Sequence, residues 1–293
     1  MEQTYYLIII GALLVEYALS TISSVFNMKS ITEKIPDGFQ EYYDEEKYSS
    51  SQSYLKDKTR FGLFSGTFGL CVTLIVIHTG VFGMLDDLAR SYSSHYITAG
   101  LIFFGILFIF NDIINIPFSI YSTFVIEEKY GFNKTTWKTY VADKLKGYGL
   151  TIVLGSIVIV PILYFFETYG SNGWWIAWVL ITGFMIAIQP LFVHVIAPMF
   201  NKFEPLEEGE LRNSIEEFAN KVAFPIGRID VMDGSRRSAH SNAYFSGFGK
   251  SRRIALFDTL MEKHSTDEIV SVVAHEVGHY KKKHGYLWNV SGN

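Results

Sequence analysis

The chain has a single cysteine, Cys71, set in an apolar run among 293 residues. That excludes a disulfide framework and any metal centre built on thiolates. Charge is scarce too: only 18% of residues are Asp, Glu, Lys or Arg, and the net charge is −4. So small a balance gives no electrostatic case for a nucleic-acid partner. The N-terminal apolar stretch has no basic lead-in and no small-residue cleavage site, and Glu16 interrupts it. A cleavable signal is therefore not expected there.

Apolar side chains are abundant instead. The chain is 49% hydrophobic and 16% aromatic, with a mean hydropathy of +0.19, a balance that points to a membrane protein. Five runs reach the roughly 20 residues that a helix needs to cross a bilayer core. They fall near 4–26, 61–85, 96–126, 149–166 and 174–198. Pro117 predicts a kink or an aqueous extension in the third. Glu16, His78, Asn111, Asp112, Asn115, Gln189 and His194 interrupt these runs. Such groups pair between helices or line a water-filled interior.

Positive charge alternates between the connecting loops. Loop 27–60 carries Lys29, Lys34, Lys47, Lys56, Lys58 and Arg60, whereas loop 86–95 carries only Arg90. Loop 127–148 carries Lys129, Lys134, Lys138, Lys144 and Lys146, and loop 167–173 carries none. The positive-inside rule then places the N-terminus outside or in a lumen and the C-terminal part in the cytoplasm. The membrane would be that of the endoplasmic reticulum in a eukaryote and the plasma membrane in a bacterium.

Composition changes at Met199, which divides the chain into a membrane domain, 1–198, and a soluble domain, 199–293. Leu211, Ile215, Phe218, Ala219 and Val222 recur at helical spacing, with Pro225 beyond. "GRIDVMDG" reads as a short strand, and "NAYFSGF" and "RRIALFD" as a hairpin turning at Gly249, Lys250 and Ser251. Ser265 and Glu268 have capping-box spacing and open a helix expected to run to about His284, with Gly285 as its stop.

That helix carries His275, Glu276 and His279 in the order H-E-x-x-H. On a helix the two imidazoles project about 40° apart, so both can reach one metal ion. Glu276 lies beside them, where it can take a proton from zinc-activated water and pass it to a leaving amine. A bare five-residue match is a modest signal, but apolar Val272, Val273 and Val277, together with Gly278, support it. Zinc needs a third protein ligand. His284 is the only later histidine, and it is turned about 180° from His275. Glu262, His264 and Glu268 could join only through an unusual fold.

The blocks "DGSRRSAHSNAYFSGFGKSRRIALFDTL" and "VVAHEVGHYKKKH" resemble the integral-membrane CAAX prenyl proteases of the Ste24 type, within the M48 zinc metallopeptidases. So do "YLKDKTRFG", "EEKYGFNKTTWKTYVADKLKG" and "APMFNKFEPLEEGELRNSIEEFA". The resemblance implies a mainly α, polytopic membrane protein with seven spans around a water-filled chamber, five of them present in this sequence. A cytoplasmic gluzincin-like α+β protease domain would complete the fold. It implies zinc held by His275 and His279, Glu276 as catalytic base, and cleavage near a prenylated C-terminal cysteine. It makes 240–245 an edge strand where Asn242, Ala243 and Tyr244 meet an extended substrate. The family's third ligand is a glutamate that follows two further spans, so the chain reads as a C-terminally truncated form.

The partners expected are a prenylated or amphipathic peptide and the lipid bilayer. Two other readings stand beside this one: a membrane quality-control metalloprotease, and a non-catalytic chamber that binds lipidated ligands. The basic residues Arg236, Arg237, Lys250, Arg252, Arg253 and Lys281 to Lys283 either face an anionic membrane surface or hold a substrate carboxylate.

Overall fold

The structure is a computed structural model that describes residues 2–224, 226–246 and 253–281. Two compact units account for it: Met1–Gly131 with Ile159–Gly170, and Phe132–Val158 with Ser171–Asn293.

The first unit holds helices α1 (Glu2–Ser30), α2 (Glu45–His78), α3 (Val81–Tyr92) and α4 (Tyr96–Tyr121). The end of α5 (Trp137–Tyr169) also belongs to it. The aqueous-looking stretch before residue 61 is already helical. Asp44 caps α2 by accepting from the Lys47 N–H at 2.8 Å, and Glu45 and Glu46 complement the helix dipole. At its other end α2 stops at His78, short of the expected 85. The Thr79 hydroxyl returns to the Ile75 carbonyl at 2.7 Å, and Gly80 takes a φ of 73° that only glycine adopts freely. Residues 81–92 then form a separate helix.

Polar groups within the apolar runs are used in two ways. Tyr6 and His78 pair at 3.1 Å between α1 and α2, as do Tyr17 and Thr67 at 2.6 Å. Asn115 instead donates to the Asn111 carbonyl of its own helix at 2.7 Å, so this pair does not join two helices. Helices α4 and α5 approach closely at Gly100, where a Cβ would stand 2.5 Å from Leu163 Cδ1. Pro117 remains inside α4, and the chain then continues as a wider π-helical turn, Ser122–Glu127.

Among the described residues, four helices are long and apolar enough to cross a membrane, and a pair bent by 45°, Trp174–Ile188 with Phe192–Phe200, makes a fifth span if taken as one. Large apolar side chains such as Leu19, Phe64, Ile152 and Ile186 point outward from them. Lipid is the solvent that makes this arrangement stable.

Among the described residues, the second unit carries a four-stranded sheet in the order β1-β2-β4-β3. The strands are β1 (Phe203–Pro205), β2 (Arg228–Met232), β3 (Ala243–Ser246) and β4 (Arg253–Phe257). β2 and β4 are parallel, and the outer pairs are antiparallel. Helices α8 (Glu210–Lys221), α9 (Asp258–Lys263) and α10 (Thr266–Lys281) pack with this sheet, after α6 (Trp174–Leu191) and the short α7 (Ala197–Phe200). The expected turn at Gly249, Lys250 and Ser251 and the helix end at His284 and Gly285 lie outside the described residues.

Ile215, Ile254, Leu256, Ile269 and Val273 are fully buried at the centre of this unit. Each contributes about 1.5–3 kcal/mol by leaving water. Asp230 is equally buried on β2, held by Arg228 at 2.5 Å and by Arg253, whose guanidinium also sits 4.0 Å over the Phe203 ring. The two guanidiniums compensate the carboxylate, as a buried charge requires. Truncating Ile254 to alanine should lower the stability of this unit by roughly 2–5 kcal/mol, read as a fall in thermal unfolding temperature. An unchanged transition would place the core elsewhere.

Candidate metal centre and its strand edge

Helix α10 starts where Ser265 and Glu268 lock together. The Ser265 N–H donates to Glu268 Oε2 at 2.8 Å, and its hydroxyl donates to the same oxygen at 3.0 Å. Donation from Ser265 holds the Glu268 carboxyl below the usual carboxylate range, with His264 adding to the effect. Ile269, Val273 and Val277 then face the core with almost no exposure. These positions differ by four residues, so they make one stripe.

The stripe decides where the H-E-x-x-H residues go. His275 falls nearly opposite it and is exposed, and Glu276 flanks it half-buried. The backbone of His279 follows one turn after His275 in the same unbroken helix. Two imidazole-bearing positions one turn apart, on the side of a rigid helix away from the core, fit a metal ion's donor set. Among the described residues no three His, Cys, Asp or Glu side chains gather into a fuller cluster.

α10 packs against β3, and β3 is the terminal strand of the sheet. Its inner side is engaged by β4, with Ala243 opposite Leu256 and Tyr244 opposite Ala255. Asn242 sits just before it. Its side-chain oxygen accepts from the Ala243 N–H at 2.9 Å, and its carbonyl accepts from the Phe257 N–H at 3.0 Å. Ala243 is buried. Tyr244 turns its hydroxyl toward Met232 Sδ at 3.9 Å. Burial pushes its phenol above the ordinary value; Arg253 opposes that shift and Asp230 reinforces it.

Two arginines of the basic group have roles that the sequence did not suggest. Arg237 forks onto Asp143 with Nε–Oδ2 at 2.8 Å and Nη2–Oδ1 at 2.9 Å, while Nη1 donates to Asn201 Oδ1 at 2.8 Å. Its carbonyl also accepts from the Lys134 N–H at 3.1 Å and the Thr135 hydroxyl at 3.1 Å. Nearby, the Phe132 and His240 rings stack at 4.1 Å. Arg237 therefore joins α5, the turn before it and the chain leading into β3. Arg253 serves Asp230. Neither is a bare surface cation or a free carboxylate receptor. The sequence signal for the clasp was the recurrence of unlike charges in "YVADKL" and "GSRRS", which names no partner. Lys250, Arg252, Lys282 and Lys283 lie outside the described residues.

The chain thus combines a set of long apolar helices with a sheet-and-helix unit whose last described helix carries the H-E-x-x-H sequence, the architecture of a polytopic membrane protein. The family model for the CAAX prenyl protease N-terminal region, with five membrane helices, matches residues 25–202, and that for peptidase family M48 matches 205–290. "CAAX prenyl protease 1" of Saccharomyces cerevisiae is 35% identical over 290 residues, covering 95% of this chain and 64% of that protein. "Probable CAAX prenyl protease 1" of Schizosaccharomyces pombe is 40% identical over 270 residues, covering 88% and 57%. The crystal structure of Ste24p from S. mikatae superposes with a TM-score of 0.87 at 34% identity, covering 97% of this chain and 69% of that one. The chain belongs to the CAAX prenyl protease family of M48 metallopeptidases, and it is a multi-pass integral membrane protein. It spans about six-tenths of the length of the two yeast relatives.

Two outcomes follow from this geometry. Because Glu268 is held ionised in the folded state, its contribution is present at neutral pH and lost as pH falls through its lowered value. Glu268→Gln should thus lower the unfolding temperature at neutral pH, with the gap to wild type closing on acidification; a gap independent of pH would refute the cap's role. Arg237→Lys keeps the charge but loses the fork, and should cost about 1–3 kcal/mol in chemical denaturation.

Proposed function

We propose that the chain forms the catalytic part of a zinc endopeptidase that cleaves close to a prenylated C-terminal cysteine. The observation that carries this reading is the placement of His275, Glu276 and His279 on α10, which packs against the edge strand β3. His275 and His279 hold the zinc, with a third protein ligand that is not found among the described residues. Zinc, when bound, supplies Lewis acidity to the scissile carbonyl and to water. Glu276 takes the proton from the attacking water and returns it to the departing amine. The outer edge of β3, with Asn242, Ala243 and Tyr244, holds the substrate extended by backbone pairing. The membrane domain, 1–198, has its N-terminus outside or in a lumen, and the protease domain, 199–293, lies on the cytoplasmic side, where the Lys-rich loops 27–60 and 127–148 also fall.

In the full-length protein, Glu276→Gln should abolish cleavage of a farnesylated peptide while zinc content by elemental analysis stays near that of wild type. His275→Ala should lose the zinc itself. Turnover retained in the glutamine variant would remove Glu276 from the mechanism. Equal cleavage of an unprenylated peptide would favour a broader membrane protease.

A further inference from the structure

Within the unit of Met1–Gly131 and Ile159–Gly170, a recess of about 670 Å³ opens between α2 and the π-helical turn that follows α4. That volume lies within the roughly 300–1,000 Å³ typical of small-molecule sites. Its character changes along its length. Asp57, Arg60 and Lys129 line one end, and Phe61, Phe64, Phe118 and Tyr121 line the rest. The rings hold one another: Phe61 stacks on Tyr121 at 4.9 Å, and Phe118 lies 6.1 Å from Phe64.

The charged end is unevenly satisfied. Asp57 is fully engaged, by Lys129 Nζ at 2.6 Å and the Tyr130 hydroxyl at 2.7 Å. Beside it, Tyr54 donates to Glu127 at 2.6 Å and accepts from Lys58 at 2.9 Å, which pins α2 to the turn. Arg60 has neither a hydrogen bond nor an ion pair among the described residues; it acts on Asp57 only through space, and its exposed side chain lines the recess. It is also the last charged residue of α2: no Asp, Glu, Lys or Arg occurs from 61 to 78. Arg60 therefore stands where the helix passes from a polar to an apolar setting. The recess has a cation at that level and an aromatic wall running inward from it.

We propose that this recess is a binding site for an anionic membrane phospholipid, with the headgroup phosphate on Arg60 and an acyl chain along the Phe61, Phe64 and Phe118 wall. The match is to an amphiphile held at a bilayer boundary. The head meets Arg60, which makes no hydrogen bond or ion pair among the described residues, and the tail covers aromatic surface without leaving the hydrocarbon layer. A free phosphate would use Arg60 alone and leave the wall uncovered. The site is independent of the peptidase reading.

The test is native mass spectrometry of the full-length protein released from nanodiscs of phosphatidylserine or of phosphatidylcholine. Wild type should retain phosphatidylserine, and Arg60→Gln should retain it about tenfold less, as expected for one lost charge-assisted contact. Arg60→Lys should restore part of the retention, and Phe118→Ala should weaken it when both proteins are compared below their own thermal transitions in detergent. Several results would overturn the site: equal retention of both lipids, equal retention by Arg60→Gln, or inorganic phosphate displacing the lipid. Displacement by a farnesylated peptide would overturn it as well, assigning the recess to a substrate's isoprenoid.

Discussion

A single stripe of aliphatic side chains orients everything chemical in the second unit. Ile269, Val273 and Val277 must lie against the sheet and α8, because exposing them would forfeit several kcal/mol of burial. Once they do, helical geometry turns His275 to the exposed side and leaves Glu276 half-buried beside the stripe. The Ser265–Glu268 lock sets where the helix begins. The core thus chooses which face of the helix is exposed, and His275 lies on that face.

Around that apolar frame the charged groups divide by burial. Asp230 is enclosed and needs two arginines, one of them braced on the Phe203 ring. Arg237 is about one-fifth exposed and is saturated by Asp143 and Asn201, a geometry that Arg alone provides. Exposed pairs such as Arg90 with Asp86 contribute little by comparison. The positions where a charge change would be felt most are therefore in the walls of the domain and not on its rim.

Much of this was readable in the residues, and what was not has physical causes. β2, β3, β4 and the cap of α10 announce themselves by alternation and by Ser-x-x-Glu spacing, because local chemistry determines them. The break after α2 does not, since apolar residues continue through 81–85 and only the positive φ of Gly80 and the Thr79 hydroxyl interrupt the helix. The early start of α2 was signalled by Asp44, Glu45 and Glu46 but masked by the polar run that follows them. The Asn111–Asn115 pairing stays within one helix because a side chain four residues on can reach its own turn's carbonyl. Arg237 was visible as a cation and opaque as a clasp: its partners lie 94 and 36 residues away in sequence, and no local pattern encodes them.

The clasp has a bearing on how such a chain could be shortened, in evolution or in the laboratory. Composition suggests a cut near Met199, with the sheet-bearing part on one side. Yet Asp143, Lys134 and Thr135, all before that cut, supply the groups that satisfy Arg237, and Phe132 supplies the ring on which His240 rests. A gene fragment beginning at Met199 would encode α10 without the anchorage of the segment leading into its neighbouring strand. The sheet and its helices are thus bound to α5 by more than chain connectivity, and a shortened descendant would have to replace that anchorage before it could leave the bilayer.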